Sequence, residues 1–315
     1  MTGRRYELVH TTTYRYPGPV TTSYGRALLL PRDLPDQRRH TAAVTVDPAP
    51  ADAAEHRDWF GNTSSYFAVT TPHTTLTVTA AATLTVTRRR AEAATLPGLA
   101  WEAVARLVAD GGTGPDGVPL VDRREAVLPS RHVLPSDPVR AWAAASFTPG
   151  RAYPEVLADL AHRIRTELTY RSGSTTIATT QAELLDSRAG VCQDFAHLML
   201  AALRAHGLPA RYTSGYVETL PPPGRPKIRG ADASHAWVSA WVPGAGWVEV
   251  DPTNDQFVGD RYVVLGWGRD YGDVPPLRGV IFTEGGGARP EVSVDLHPLD
   301  ADPGASSDPA AVPRP

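Results

Sequence analysis

Residues 187–197 read Ser187-Arg188-Ala189-Gly190-Val191-Cys192-Gln193-Asp194-Phe195-Ala196-His197, and the cysteine among them is the only one in 315 residues. With no second thiol it cannot form an internal disulfide, so it is either an inert core residue or a reactive one. Leu198, Leu200, Ala201 and Leu203 follow at helical spacing until Gly207-Leu208-Pro209. There glycine supplies a left-handed cap and proline forbids continuation. The spacing predicts a helix whose first turn holds Cys192. Unsatisfied N–H groups and the positive dipole end favour thiolate over thiol at that place, and Gly190 permits a sharp approach of the chain.

Further along, Ser234-His235-Ala236-Trp237-Val238-Ser239-Ala240-Trp241-Val242 has the β-branched and aromatic content of a strand. Pro243-Gly244-Ala245-Gly246 turns the chain, and Trp247-Val248-Glu249-Val250-Asp251-Pro252-Thr253 returns. His235 and Asp251 therefore belong near the open end of one antiparallel hairpin. They share a face only if the loop holds an odd number of residues or a bulge shifts the pairing. A two-residue turn at Gly244 and Ala245 does not place them opposite each other, so a bulge or a diagonal pair is expected. The three side-chain types have one joint chemistry. A thiolate attacks a carbonyl, an imidazole moves the proton, and a carboxylate fixes the imidazole's tautomer and favours its charged form.

Four ordered blocks carry a resemblance. They are Gly190 to His197, then Gly207-Leu208-Pro209-Ala210-Arg211-Tyr212 with Gly215-Tyr216, then His235-Ala236-Trp237-Val238, then Gly246-Trp247 with Asp251-Pro252-Thr253-Asn254. Together they resemble the transglutaminase-like superfamily, and more narrowly its bacterial branch with an amino-terminal domain of its own. Tyr14-Arg15-Tyr16, Leu30-Pro31-Arg32 and Phe60-Gly61-Asn62-Thr63 resemble that domain, and residues 268–279 the segment that closes the core. The resemblance implies an α+β protein: an N-terminal antiparallel β domain, then a papain-like transglutaminase core with the nucleophile helix packed on an antiparallel sheet. It implies Cys192, His235 and Asp251 as nucleophile, base and orienting acid. One departure concerns substrate contacts: an acidic residue often follows the His-Ala-Trp-Val block in the family, and here Ser239 stands there.

The chain exceeds one average domain and suggests two. The expected division is 1–135 for a β-rich domain with connector, 136–300 for the catalytic core and 301–315 for a disordered Pro-, Ala-, Ser- and Asp-rich tail. Strands are expected at Tyr6 to Tyr16, Ser23 to Leu30, Thr41 to Val46, Ser65 to Val69 and Leu76 to Val86, arranged as a sandwich. Helices are expected near Trp101 to Ala109, after a cap at Asp137, and from Pro154 to Leu168. The net charge of −3 and the pI near 6.4 provide no basic footprint for nucleic acid or an anionic membrane. No apolar run approaches a membrane span, and the start lacks the apolar core of a secretory signal. With a single free cysteine, these features give a cytoplasmic protein as the expectation.

The backbone N–H of Cys192 is a natural oxyanion donor. Tyr170, upstream where related enzymes place an aromatic with a polar tip, and Gln193 are the candidates for the second. Asp194 and His197 are scattered around the helix relative to Cys192, so no metal is expected and no cofactor is implied. Asp194 is read as an acid serving the helix start. Trp237, Trp241 and Trp247 are candidates for a substrate groove as well as for core packing. The loop from Leu220 to Ala233, with Lys227 and Arg229, is placed as a specificity element beside His235. The expected substrate is a peptide, a protein amide or a small amide. Hydrolysis is favoured slightly over amine acyl transfer because water needs no dedicated amine site. The alternative from another class is a catalytically idle module that keeps the fold to bind a peptide or partner.

Overall fold

The computed structural model describes residues 3–115, 117–220 and 232–299. The expected tail 301–315, and Lys227 and Arg229 of the loop before His235, lie outside the described residues. The amino-terminal half supplies β1 (Arg4–Ala27), β2 (Gln37–Asp47), β3 (Asp52–Arg57), β4 (Thr63–Val69) and β5 (His73–Val86). Helices α1 (Trp101–Asp110), α2 (Val121–Arg124), α3 (Asp137–Ala143) and α4 (Tyr153–Glu167) follow. Next come β6 (Thr169–Tyr170), α5 (Gln181–Ser187), β7 (Ala189–Gly190) and α6 (Cys192–Ala205). The chain then forms β8 (Ala210–Val217), β9 (Ser234–Val242), β10 (Gly246–Asp251), β11 (Gln256–Phe257) and β12 (Tyr262–Gly268), and ends on β13 (Leu277–Thr283) and β14 (Pro290–Pro298).

The amino-terminal strands are hydrogen-bonded as one seven-stranded antiparallel sheet in the order β2-β5-β1-β4-β3, with β13 and β14 both paired to β1, and residues of both its halves share one apolar core. The two strands expected at 6–16 and 23–30 are one long strand. Pro17, Gly18 and Pro19 interrupt its ladder with β5 between Arg15 and Val20 without ending it, because proline removes donors yet tolerates extended backbone. β1 thereby serves two halves. Residues 6–14 lie between β5 and β14, and residues 23–27 between β4 and β13. Leu29, Leu30, Phe67, Val69, Leu76 and Val78 form an apolar core of this sheet. The carboxy-terminal strands, which a linear division assigns to the core, are thus members of the amino-terminal sheet. β3 is exposed along its whole length, which is why its Asp-Ala-Ala-Glu-His-Arg sequence carries no alternation to read.

The second sheet has the antiparallel order β11-β10-β9-β8-β12. One face, with Tyr212, Tyr216, Ala236, Val238, Ala240, Val248 and Val250, joins the main core with α6. Every residue of α6 from Asp194 to Ala205 is buried, as expected of a helix enclosed by a sheet and by α3, α4 and α5. It stops where the sequence says: Gly207 takes φ 74° and Leu208 N–H bonds the Leu203 carbonyl at 3.1 Å. At the start of α3, Ser136 is the cap and Asp137 the first helical residue, one position earlier than expected.

β12 is an edge strand, and the amino-terminal domain covers it with side-chain amides. Gln37 accepts from Val264 N–H and donates to the Val264 carbonyl, both at 2.8 Å, imitating a strand. Asn62, fully buried, does the same for Trp267, accepting at 3.0 Å and donating at 2.9 Å. A side chain at Gly266 would put its Cβ 2.6 Å from the Asn62 amide oxygen, so the approach requires glycine. A second seam joins Tyr6, whose hydroxyl donates to Glu218 at 2.8 Å, and His10, whose Nδ1 meets the Tyr216 hydroxyl at 2.7 Å. No helix among the described residues is long and apolar enough to cross a membrane.

Candidate active site

Cys192 is the first residue of α6, after Val191 in extended conformation at the cap. The Asp194 carboxylate turns back to accept from Val191 N–H at 2.8 Å and from the Thr175 hydroxyl at 2.6 Å, so it serves the helix start. Burial raises the Asp194 pKa against these two donors. Gly190 does not use a positive φ. It is required because a Cβ there would meet Leu184 at 2.6 Å and the Asp194 carboxylate at 3.0 Å. Tyr170 is brought to the same place by the short parallel pairing of β6 with β7, where it lies beside Gly190. Its ring meets Phe195 edge-on at 6.2 Å. Burial, then the charges of Cys192 and Asp194, pushes its hydroxyl up to about 12, so it is a proton donor at neutral pH. Gln193 is half-buried on the first turn of α6.

The hairpin of β9 and β10 settles the register question. Val242 pairs with Gly246 around the three-residue loop Pro243-Gly244-Ala245, with Gly244 at φ 85° as a type II turn after proline requires. Because the loop is odd, Ser239 faces Glu249 and Asp251 falls opposite Trp237, one diagonal step from His235 on the same face. No bulge is needed. His235 Nε2 and Asp251 Oδ2 are 2.7 Å apart, with both residues buried. Cys192 lies near enough to the ring to act, with Asp251, in raising its pKa. Burial alone would lower the His235 pKa, but the charge and hydrogen bond of Asp251, with Cys192, outweigh it and hold the imidazole up at about 10. Burial likewise opposes ionisation of Asp251, and the imidazolium with neighbouring donors keeps its pKa below the usual carboxylate value.

Those donors include residues that the sequence reading missed. Oδ2 also accepts from the Tyr262 hydroxyl at 2.7 Å and from Asn254 Nδ2 at 2.6 Å, and Oδ1 accepts from the backbone of Thr253 at 2.8 Å. The Asp-Pro-Thr-Asn turn signals Asn254 locally. Tyr262 has no such signal, because it begins β12 at the far side of the sheet. In a flat sheet β10 and β12 would be three strand spacings apart, roughly 14 Å. The 2.7 Å bond requires the sheet to curl until its two sides meet.

Trp237, fully buried, lies 6.0 Å from the His235 ring and edge-on to Tyr262 at 5.3 Å. Trp241 and Trp247 sit further along the hairpin in a stack of indoles and guanidinium groups. Arg211 lies 4.0 Å over Trp247 and 3.8 Å over Trp267, Arg32 lies 3.6 Å over Trp267, and Arg123 approaches both Trp247 and Trp241. Ser239, where the resemblance leads one to look for an acid, is buried between Arg211 of β8 and Glu249 of β10. His197 is buried and neutral, its pKa lowered by burial to about 3, and it accepts from Tyr271 N–H at 3.2 Å. Among the described residues there is no cluster of three metal-ligating side chains.

Residues 6–85 match the family described as bacterial transglutaminase-like N-terminal region, and residues 141–252 match the transglutaminase-like superfamily. An uncharacterized protein of Mycobacterium tuberculosis is 49% identical over 310 residues, covering 95% of this chain and 94% of its own. One from Mycobacterium leprae is 31% identical over 280 residues, covering 88% and 92%. A protein-glutamine gamma-glutamyltransferase of Pseudomonas aeruginosa is 44% identical over 71 residues, which is 22% of this chain and 11% of that protein. Among solved structures, a candidate cysteine protease from Cytophaga hutchinsonii has a TM-score of 0.69 at 21% identity, covering 96% of this chain and 93% of its own, a likeness of fold. With a buried imidazole–carboxylate pair beside a helix-start cysteine and both halves matched in order, the chain belongs to the transglutaminase-like superfamily of thiol enzymes, in the bacterial branch with its own amino-terminal region.

Proposed function

We propose that the protein cleaves or transfers the acyl group of an amide or peptide through a thioester on Cys192, with His235 as proton carrier and Asp251 as its orienting acid. The observation that carries this reading is the 2.7 Å contact between His235 Nε2 and a fully buried Asp251, which leaves the second ring nitrogen to Cys192. The sulfur attacks the carbonyl carbon and a C–S bond forms. The tetrahedral intermediate collapses with loss of the C–N bond, and the departing amine takes its proton from His235. Water, deprotonated by His235, then attacks the thioester, releasing the acid and restoring the thiol. A primary amine in place of water gives transfer. The Cys192 N–H and the Tyr170 hydroxyl, kept protonated by burial, serve as oxyanion donors in this scheme. Hydrolysis of a peptide or small amide is the favoured outcome, in the cytoplasm, because the second half-reaction then needs no amine-binding site.

The test is intact-mass analysis of the protein incubated with amide donors, with and without a primary amine. A mass increase equal to the acyl group, absent in Cys192→Ala, supports the thioester, and the products assign hydrolysis or transfer. Turnover undiminished in Cys192→Ala defeats the proposal.

A further inference from the structure

The stack of tryptophans and arginines encloses a cleft of about 120 Å³ lined by Phe60, Arg123, Glu125, Ala126, Ala210, Arg211, Trp247, Trp267, Gly268 and Arg269. Its acid–base balance is unusual. Three arginines meet one acid, and Glu125 has a partner in Trp59 Nε1 at 3.4 Å. Arg269 is taken by Asp273, with contacts of 3.0 and 3.2 Å. Arg211 differs. Its cross-strand neighbour is the neutral Ser239. Glu249, whose charge also acts on Arg211, is paired with Arg88 at 3.1 Å, their side chains 11% and 9% exposed. Nε of Arg211 is sealed from solvent and has no hydrogen-bond partner. Two indole rings lie against its guanidinium carbon, and ring faces accept no in-plane hydrogen bond.

The guanidinium carbon of Arg211 lies 4.0 Å from the Trp247 ring centroid and 3.8 Å from that of Trp267. A guanidinium N–H sealed from water normally meets an acceptor, since leaving that donor unmade costs more than a typical net hydrogen bond contributes. Its rigid fork matches a planar two-oxygen acceptor. The flanking indoles favour a flat group over a tetrahedral one. We propose that this cleft binds a carboxylate, with Arg211 as the principal donor and Trp247 and Trp267 as its walls. The ligand is either a small free acid or the carboxy terminus of a peptide chain. Phe60 comes from the amino-terminal domain and Trp247 from the core hairpin, so occupancy joins the two. The site is separate from the thiol centre. Trp247 lies four residues along β10 from Asp251, about 13 Å in extended chain.

The test uses the full chain at constant ionic strength, with chloride exchanged for acetate and the binding read by indole fluorescence. Trifluoroacetate, followed by 19F line width and competed with acetate, gives an independent readout. Acetyl-glycine against acetyl-glycinamide distinguishes the two sources. Saturation by acetate alone points to a free acid, and tighter saturation by acetyl-glycine, with none by its amide, points to a chain terminus. Saturable binding in wild type and in Cys192→Ala, weakened at least tenfold in Arg211→Gln, is expected. Should Arg211→Gln not fold, Arg123→Gln on the short α2 is expected to weaken the fluorine signal several-fold. A response no different from chloride overturns the proposal. So does saturation unchanged in both arginine variants, or saturation by inorganic phosphate without any by carboxylates.

Discussion

At Asp251 one oxygen accepts from three side chains, and the arrangement makes the pair with His235 a pH-sensitive element. The histidine's pKa is raised from 6.5 to about 10, so its contribution to stability is complete below 6.5 and is lost as pH rises through 10. The aspartate's pKa is lowered, so its contribution is present above its ordinary 3.8 and is lost as pH falls through the lower folded value. In Asp251→Asn the burial that opposes imidazolium acts without its main counterweight. His235, followed by NMR, is expected to titrate below 6.5 in that variant, and turnover to fall by roughly 10² to 10⁴. An imidazole that still titrates near 10 in Asp251→Asn would contradict this account. Tyr262→Phe removes one donor from the carboxylate while keeping the ring against Trp237. We expect a stability loss of about 1.5–3 kcal/mol in urea unfolding, as for hydrogen bonds to charged groups.

Among the elements, α6 and the hairpin of β9 and β10 were legible in the sequence because their signals are local. The Gly207-Leu208-Pro209 stop, the helical spacing after Cys192 and the Pro-Gly turn all operate within a few residues. The diagonal relation of His235 to Asp251 followed from counting once the loop length was known. Tyr262, the indole–guanidinium stack and the curl of the sheet were not legible, because each joins strands distant in the chain order. Gly215 shows what the curl demands. A Cβ there would stand 2.0 Å from the Val263 carbonyl oxygen and 2.5 Å from the Trp237 ring, on the residue paired with His235. Gly215→Ala is expected to destabilise the protein by about 3 kcal/mol or more, the upper end of overpacking costs, since the obstacle is backbone. Thermal unfolding of that variant within a degree of wild type would show that the strands relax freely.

For the molecule as a whole, strand pairing at the carboxy terminus returns the chain to β1, across the boundary read from composition. A fragment of residues 136–299 would lose both the partner of β13 and β14 and the amides of Gln37 and Asn62 that cover β12. It is expected to self-associate through that bare edge on size-exclusion chromatography. A monodisperse, folded fragment would show the core to be autonomous. The double use of β1 also has a consequence for synthesis. Its residues 6–14 leave the ribosome well before β14, which fills their second edge. β1 can pair with β5 on one side while its other row of amides and carbonyls waits for β14 to emerge. During translation that edge of β1 therefore stays bare until β14 appears, and the ladder of β1 with β14 is a long-range closure that waits on all the chain between them.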